Sequence, residues 1–207
     1  MNGKLLIALL ISLLSGCVNL GDDHQNATST TYVLTDTTAA PATGPVIPHT
    51  LLVEDTHANT YDNNEALVFS HEPNTRGRYR YARWSELPST RFSELLFNRL
   101  ATANVYATVV GPSSDVIADR RLSTELLSFY HDTTTNPGVV HVAIRAELFD
   151  AQHHRLMARR VFEQTVPVTS YNAAGAAAAF NLATQTLLND ISTWIGATGT
   201  STSAAHG

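Results

Sequence analysis

The sequence predicts a single α/β domain: a mixed sheet containing an antiparallel meander, with two main helices packed on it. Three observations predict it. Val140, Val142, Ile144, Ala146 and Leu148 alternate with His141, Ala143, Arg145, Glu147 and Phe149, a period of two that turns one row toward a core. Strand candidates on either side, Leu122 to Tyr130 and Arg155 to Val166, are joined to it by Gly138 and by Ala151 to His154, where hairpin turns are needed. Two further segments repeat apolar residues at helical spacing, each with a polar opposite face, as packing on a sheet requires.

The N-terminus sets the domain boundaries. The chain has 207 residues, 43% of them hydrophobic, and one cysteine, so it suits one domain with flexible ends and forms no internal disulfide. Lys4 precedes an apolar run from Leu5 to Leu14. About ten residues fall short of a ~30 Å hydrocarbon core, so the run reads as the apolar part of an export signal. Leu14-Ser15-Gly16-Cys17 resembles the lipobox of bacterial lipoproteins. It implies removal of residues 1–16 and acylation of Cys17; the alternative is an ordinary secretory signal with a chance cysteine. Three acyl chains, palmitate among them, are implied, and two or more anchor a protein stably. Residue 18 is Val, whereas an Asp there resembles an inner-membrane retention signal, so the expected location is the outer membrane, facing the periplasm of a Gram-negative bacterium. Losing Lys4 takes the formal charge from −5 to −6. Such a chain is no general binder of nucleic acid or anionic membranes.

Residues 17–31 read as acylated Cys17 and a polar tether, which fully stretched reaches at most ~50 Å. The domain is expected over 32–196. Tyr32-Val33-Leu34 is a short strand candidate, and Thr37 to Pro48, with three prolines, a loop or linker. Leu51-Leu52-Val53, Ala66 to Phe69 and Arg78 to Tyr81 are short strands, the last half-exposed. Pro88 opens the first helix, which carries Phe92, Leu95, Leu96 and Leu100 on one side and stops before Asn104. The continuous apolar run Val105 to Val110 predicts a buried strand. An alanine run at 176–179 favours the second helix, which keeps Phe180, Ala183, Leu187, Leu188, Ile191, Trp194 and Ile195 on one face until Gly196 ends it. Residues 197–207 read as a disordered tail.

In order, a lipobox, a Tyr-Val-Leu strand, Tyr79 to Trp84 leading into a helix, the strands 124–129 and 140–148, an Arg-Val-Phe-Glu segment at 160–163 and an Ala-rich helix with Ala179-Phe180-Asn181 and Trp194 form a series. This series resembles the ABC-type transport auxiliary lipoprotein family, which includes PqiC-like intermembrane transport lipoproteins. The resemblance spans residues 32–195 and implies a three-layer domain. It also implies a non-catalytic adaptor beside an Mce-domain protein, a permease and an ATPase that move phospholipids between membranes, and a ring-like or other homo-oligomer. The polar stretch from Pro112 to Asp119 departs from the family, so partner-specific loops are not carried over.

Four of the twelve basic residues of the mature chain fall within eight positions: Arg76, Arg78, Arg80 and Arg83, interleaved with Tyr79, Tyr81 and Trp84. On a strand Arg78 and Arg80 share one face and the tyrosines the other. Either the arginines dock an anionic headgroup or an acidic partner, or they are the solvated face of a half-buried strand. His153-His154 lacks the spaced ligands of a metal site and reads as a turn beside water. Phe180, Trp194 and Tyr171 line either a lipid groove or the core. No Gly-x-Ser-x-Gly elbow, phosphate loop or Gly-x-Gly-x-x-Gly motif occurs, so no catalytic residue is nominated, and the expected cofactor is none beyond the covalent lipid. A lipid-binding carrier and a hydrolase are the alternatives to an adaptor.

Overall fold

The structure, a computed structural model, describes residues 28–37 and 45–203. The signal segment, Cys17 and the tether as far as residue 27 lie outside them. The elements run β1 (Thr30–Tyr32), β2 (Ile47–Val53), β3 (His57–Ala58), β4 (Ala66–Ser70), β5 (Gly77–Trp84), α1 (Pro88–Ala103), β6 (Tyr106–Val110), β7 (Arg120–Asp132), β8 (Val139–Asp150), β9 (Arg155–Pro167) and α2 (Ala173–Ser203).

The long strand β7 is the spine of a nine-stranded mixed sheet. Along one side it pairs antiparallel with β8, which pairs antiparallel with β9, giving the expected meander. Along the other side β2, β3 and β4 lie end to end, each parallel to β7. Outside them β6 pairs with β2, β5 with β4, and β1 with β5. The alternation in β8 does what its period requires: Val140, Val142, Ile144, Ala146 and Leu148 are all buried. In β7 the alternation is only partial for a visible reason. A register irregularity between Leu126 and Ser128 shifts the phase, so Leu122, Thr124 and Leu126 are buried before it, and Phe129 and His131 after it.

Both helices lie on one face of the sheet. They touch each other and share one continuous core with it, centred on Trp84, Phe129 and Phe180, whose ring centroids are 4.3–5.6 Å apart. The opposite face carries ion-paired side chains, Arg145 with Glu125 and Arg159 with Glu147. The mixed sheet, the meander and the two helices are thus as predicted, but the described residues form two layers where the resemblance implied three. A third layer needs an apolar second face, and these strands alternate with charge there.

Four boundaries differ from expectation. The first strand is Thr30–Tyr32, so the last two residues assigned to the tether belong to the sheet. Pro48 lies inside β2 at a register irregularity, where a missing N–H breaks no ladder bond. The run Val105 to Val110 forms an edge strand with Ala107 and Thr108 exposed, because among the described residues β6 has only β2 beside it. The second helix continues through Gly196 to Ser203, so residues 197–203 are helical. Tertiary contact overrides the glycine there: at Gly199 a Cβ would stand 2.4 Å from Ile47 Cδ1 and 2.9 Å from the Tyr106 hydroxyl.

Candidate interaction surfaces

The chain enters the fold through a clamp. Leu34, just beyond β1, is buried, and the backbone on either side of it is held by side chains of both helices. Arg91 of α1 donates from Nε to the Leu34 carbonyl (2.9 Å). From α2, Asn181 Oδ1 accepts the Thr35 N–H (2.8 Å), and Gln185 donates to Thr37 Oγ1 (3.1 Å). Arg99, only 5% exposed, makes a two-pronged ion pair with Asp36, Nε to Oδ2 at 2.7 Å and Nη2 to Oδ1. A charge that deep in a core is tolerable only when paired. Sequence reasoning missed this pair, yet a signal existed: Arg99 stands in line with Phe92, Leu95 and Leu96, so a cation on the apolar stripe demands a buried carboxylate. An open cleft of about 350 Å³ lies beside the clamp, with Asp36, Arg91, Asn98 and Arg99 in its wall alongside Leu95.

The four predicted arginines share a region but split in role. Arg76 pairs with the buried carboxylate of Asp62 (2.6 Å) and lies over the Tyr130 ring. Arg83 pairs with Glu65 (2.5 Å) at an exposed site. Arg78 and Arg80 have no carboxylate partner among the described residues and rest over Tyr61 (4.7 Å) and Tyr81 (5.1 Å). Among the described residues β1 pairs only with Ala82–Trp84, so no described strand lies beside the part of β5 bearing Arg78 and Arg80. The expected split of tyrosines and arginines between faces holds only in part. A register irregularity opposite Ala66–Val68 changes the facing, leaving Tyr79 half-buried and Tyr81 46% exposed. Gly77 is needed beside it, since a Cβ would meet the Phe69 ring at 2.5 Å.

Tyr79 leads to a small polar core. Its hydroxyl is 2.8 Å from His131 Nδ1, and His131 Nε2 is 2.8 Å from the Pro137 carbonyl. The carbonyl accepts, so Nε2 bears the proton and Nδ1 receives the Tyr79 hydroxyl: a neutral imidazole satisfies every partner. Burial, and secondarily Tyr171, pushes the Tyr79 phenol up to about 12. Burial also lowers the His131 pKa, against the opposing pull of the Pro137 carbonyl and Asp132. Gly138, at φ +86°, fits here because a side chain would strike the Asp132 carbonyl.

The other nominated groups take their places. His153 and His154 occupy the β8–β9 turn, His154 with φ 51° and His153 against Asp150 at 3.1 Å. Among the described residues no three His, Cys, Asp or Glu side chains converge on a common point. Phe180 is core and Trp194 packs on Phe162, whereas Tyr171 is 49% exposed, so the three do not line one groove. No helix among the described residues is long and apolar enough to cross a membrane.

With sheet, clamp and edge in view, comparison with known proteins decides the family. The family model for an ABC-type transport auxiliary lipoprotein component matches residues 32–192. The chain belongs to that family. The matched span opens two residues before the buried Leu34 and includes the clamp, the basic edge and the meander. Among solved structures, protein XCC0632 from Xanthomonas campestris, of family DUF330, is similar at 21% identity and TM-score 0.79, over 85% of this chain and 99% of that one. The hypothetical protein CT253 from Chlamydia trachomatis is similar at 12% identity and TM-score 0.54, over 73% and 98%. At such identities these likenesses establish the shared fold. No curated protein matches the chain.

Proposed function

We propose that the chain is a non-catalytic adaptor, acylated on Cys17 and held at the periplasmic face of the outer membrane, serving an Mce-type ABC system that moves phospholipids between membranes. The observation that carries this reading is the clamp. The segment next to β1 is tied to both helices through Arg91, Arg99 and Asn181, so a pull on an N-terminal anchor is borne by the folded domain. Family membership supports the transport role. The acyl chains restrict the domain to a surface, which raises its effective concentration at a partner and lets each protein contact be weak.

The edge formed by Arg78 and Arg80 is the surface offered to an acidic partner or a phosphate headgroup. Guanidinium groups preordered over aromatic rings, and without a carboxylate partner among the described residues, lose little on engaging an anion. Two measurements test the proposal. Growth with labelled palmitate should tag the wild-type chain and leave Cys17→Ala unlabelled and released into the soluble fraction. Detergent-solubilised chain should capture an Mce-domain protein, and the Arg78→Glu, Arg80→Glu variant should capture it several-fold less. Unlabelled wild type, or equal capture by both chains, refutes the corresponding half.

A further inference from the structure

The β9 edge carries an inference that stands apart from the adaptor reading. Among the described residues β9 pairs only with β8, so one side of a thirteen-residue strand is open. Which groups face outward follows from the ladder. The Val168 N–H donates to the Gly138 carbonyl (3.0 Å), and the register continues through Val166 with Val140, Gln164 with Val142 and Phe162 with Ile144. Bonded positions recur every second residue in an antiparallel pair. Arg159, Val161, Glu163 and Thr165 therefore turn their N–H and C=O groups away from β8. Their side chains lie on the open, helix-free face, where Arg159 already pairs with Glu147.

An unguarded edge of this length is a template for another strand, and charged side chains ordinarily protect it. Here the charges select a partner. In an antiparallel pairing of two copies about a two-fold axis, a centre at Arg159, Arg160 or Glu163 sets like charges opposite each other. A centre at Val161 sets Arg159 opposite Glu163 of the second copy, twice over. It also places Arg160 opposite Phe162 and Val161, 43% exposed, against its own copy. Opposite charges facing across strands stabilise and like charges do the reverse. We infer that β9 is a self-complementary edge through which a second copy of this chain adds in antiparallel register centred on Val161, joining two nine-stranded sheets into one.

Cross-linking through one introduced cysteine in the full chain tests it, with wild type, whose one cysteine is Cys17, as background. The two Val161 Cα atoms should be ~5.5 Å apart, within disulfide reach. Two Thr165 positions should be about eight strand residues, ~26 Å, apart. Oxidation should link Val161→Cys into dimers and leave Thr165→Cys at the wild-type level. Adding Glu163→Arg to Val161→Cys should lower the dimer yield several-fold, and adding Arg159→Glu to that chain should restore it. Absence of Val161→Cys dimers, equal yields at both positions, or a Glu163→Arg change that leaves the yield unaltered overturns the proposal. None of these outcomes depends on acylation or on the transport partner.

Discussion

His131 illustrates how a single buried residue sets a property of the molecule. It has no exposed surface, and both ring nitrogens are engaged as a neutral imidazole requires. Its folded pKa lies below the ordinary value of 6.5, with desolvation the main cause. The unfolded chain therefore binds more protons here once the pH drops below about 6.5, and stability falls as the pH is lowered through that window. The effect is absent above it. Asp132 and Asp150 contribute separately at lower pH. Burial pushes both carboxyls up, but hydrogen bonds, from Thr134 for Asp132 and from His153 for Asp150, hold their pKa values below the usual carboxylate range, and that stabilisation is lost only below ~4. Thermal melts between pH 7 and 5 should fall more steeply for wild type than for His131→Asn; parallel slopes contradict this. The Arg99–Asp36 pair makes a second residue-scale case. Arg99→Ala breaks this buried ion pair and should lower the unfolding free energy by about 3–5 kcal/mol in urea titrations, whereas a loss under ~1 kcal/mol shows the pair to be dispensable.

The elements divide into those a periodicity announces and those only the tertiary fold defines. The five buried residues of β8 state its facing outright. The first helix runs from Pro88 to a left-handed Asn104, as its proline and apolar stripe indicate. The second helix presents Phe180 to the core and Leu182, 54% exposed, to water. Phe180→Ala should cost about 3–5 kcal/mol, and Leu182→Ala under ~0.5 kcal/mol, by chemical denaturation; comparable losses contradict that facing. What stayed hidden has a common cause. Val105 to Val110 reads as buried from composition, but burial of a strand depends on what lies on both its sides, and among the described residues β6 has a strand on one side alone. Gly196 reads as a stop, but the helix continues because Gly199 seats against Ile47 and Tyr106, residues remote in sequence. The candidate site was legible to a similar depth. The arginine cluster is evident in the chain, yet which two arginines lack carboxylates depends on where Asp62 and Glu65 fold. The clamp joins residues as far apart as Thr35 and Asn181, a separation no local pattern encodes.

At the scale of the whole molecule, Leu34 to Thr37 are held by side chains of both helices, and among the described residues the face opposite those helices is a charged, open sheet with long edges. That arrangement suits a part that is held at one point and engages others along its rim: Arg78 and Arg80 at one edge, β9 at another. Among the described residues no three His, Cys, Asp or Glu side chains converge on a metal-binding point. The measurement that tests this account most directly is affinity purification of the acylated full chain from detergent-solubilised envelopes, followed by identification of what co-elutes. The account predicts an Mce-domain protein with its permease and ATPase, retained by wild type and lost when Cys17 is replaced by Ala. Recovery of Cys17→Ala with the same partners in equal yield would contradict it, as would wild type that elutes alone.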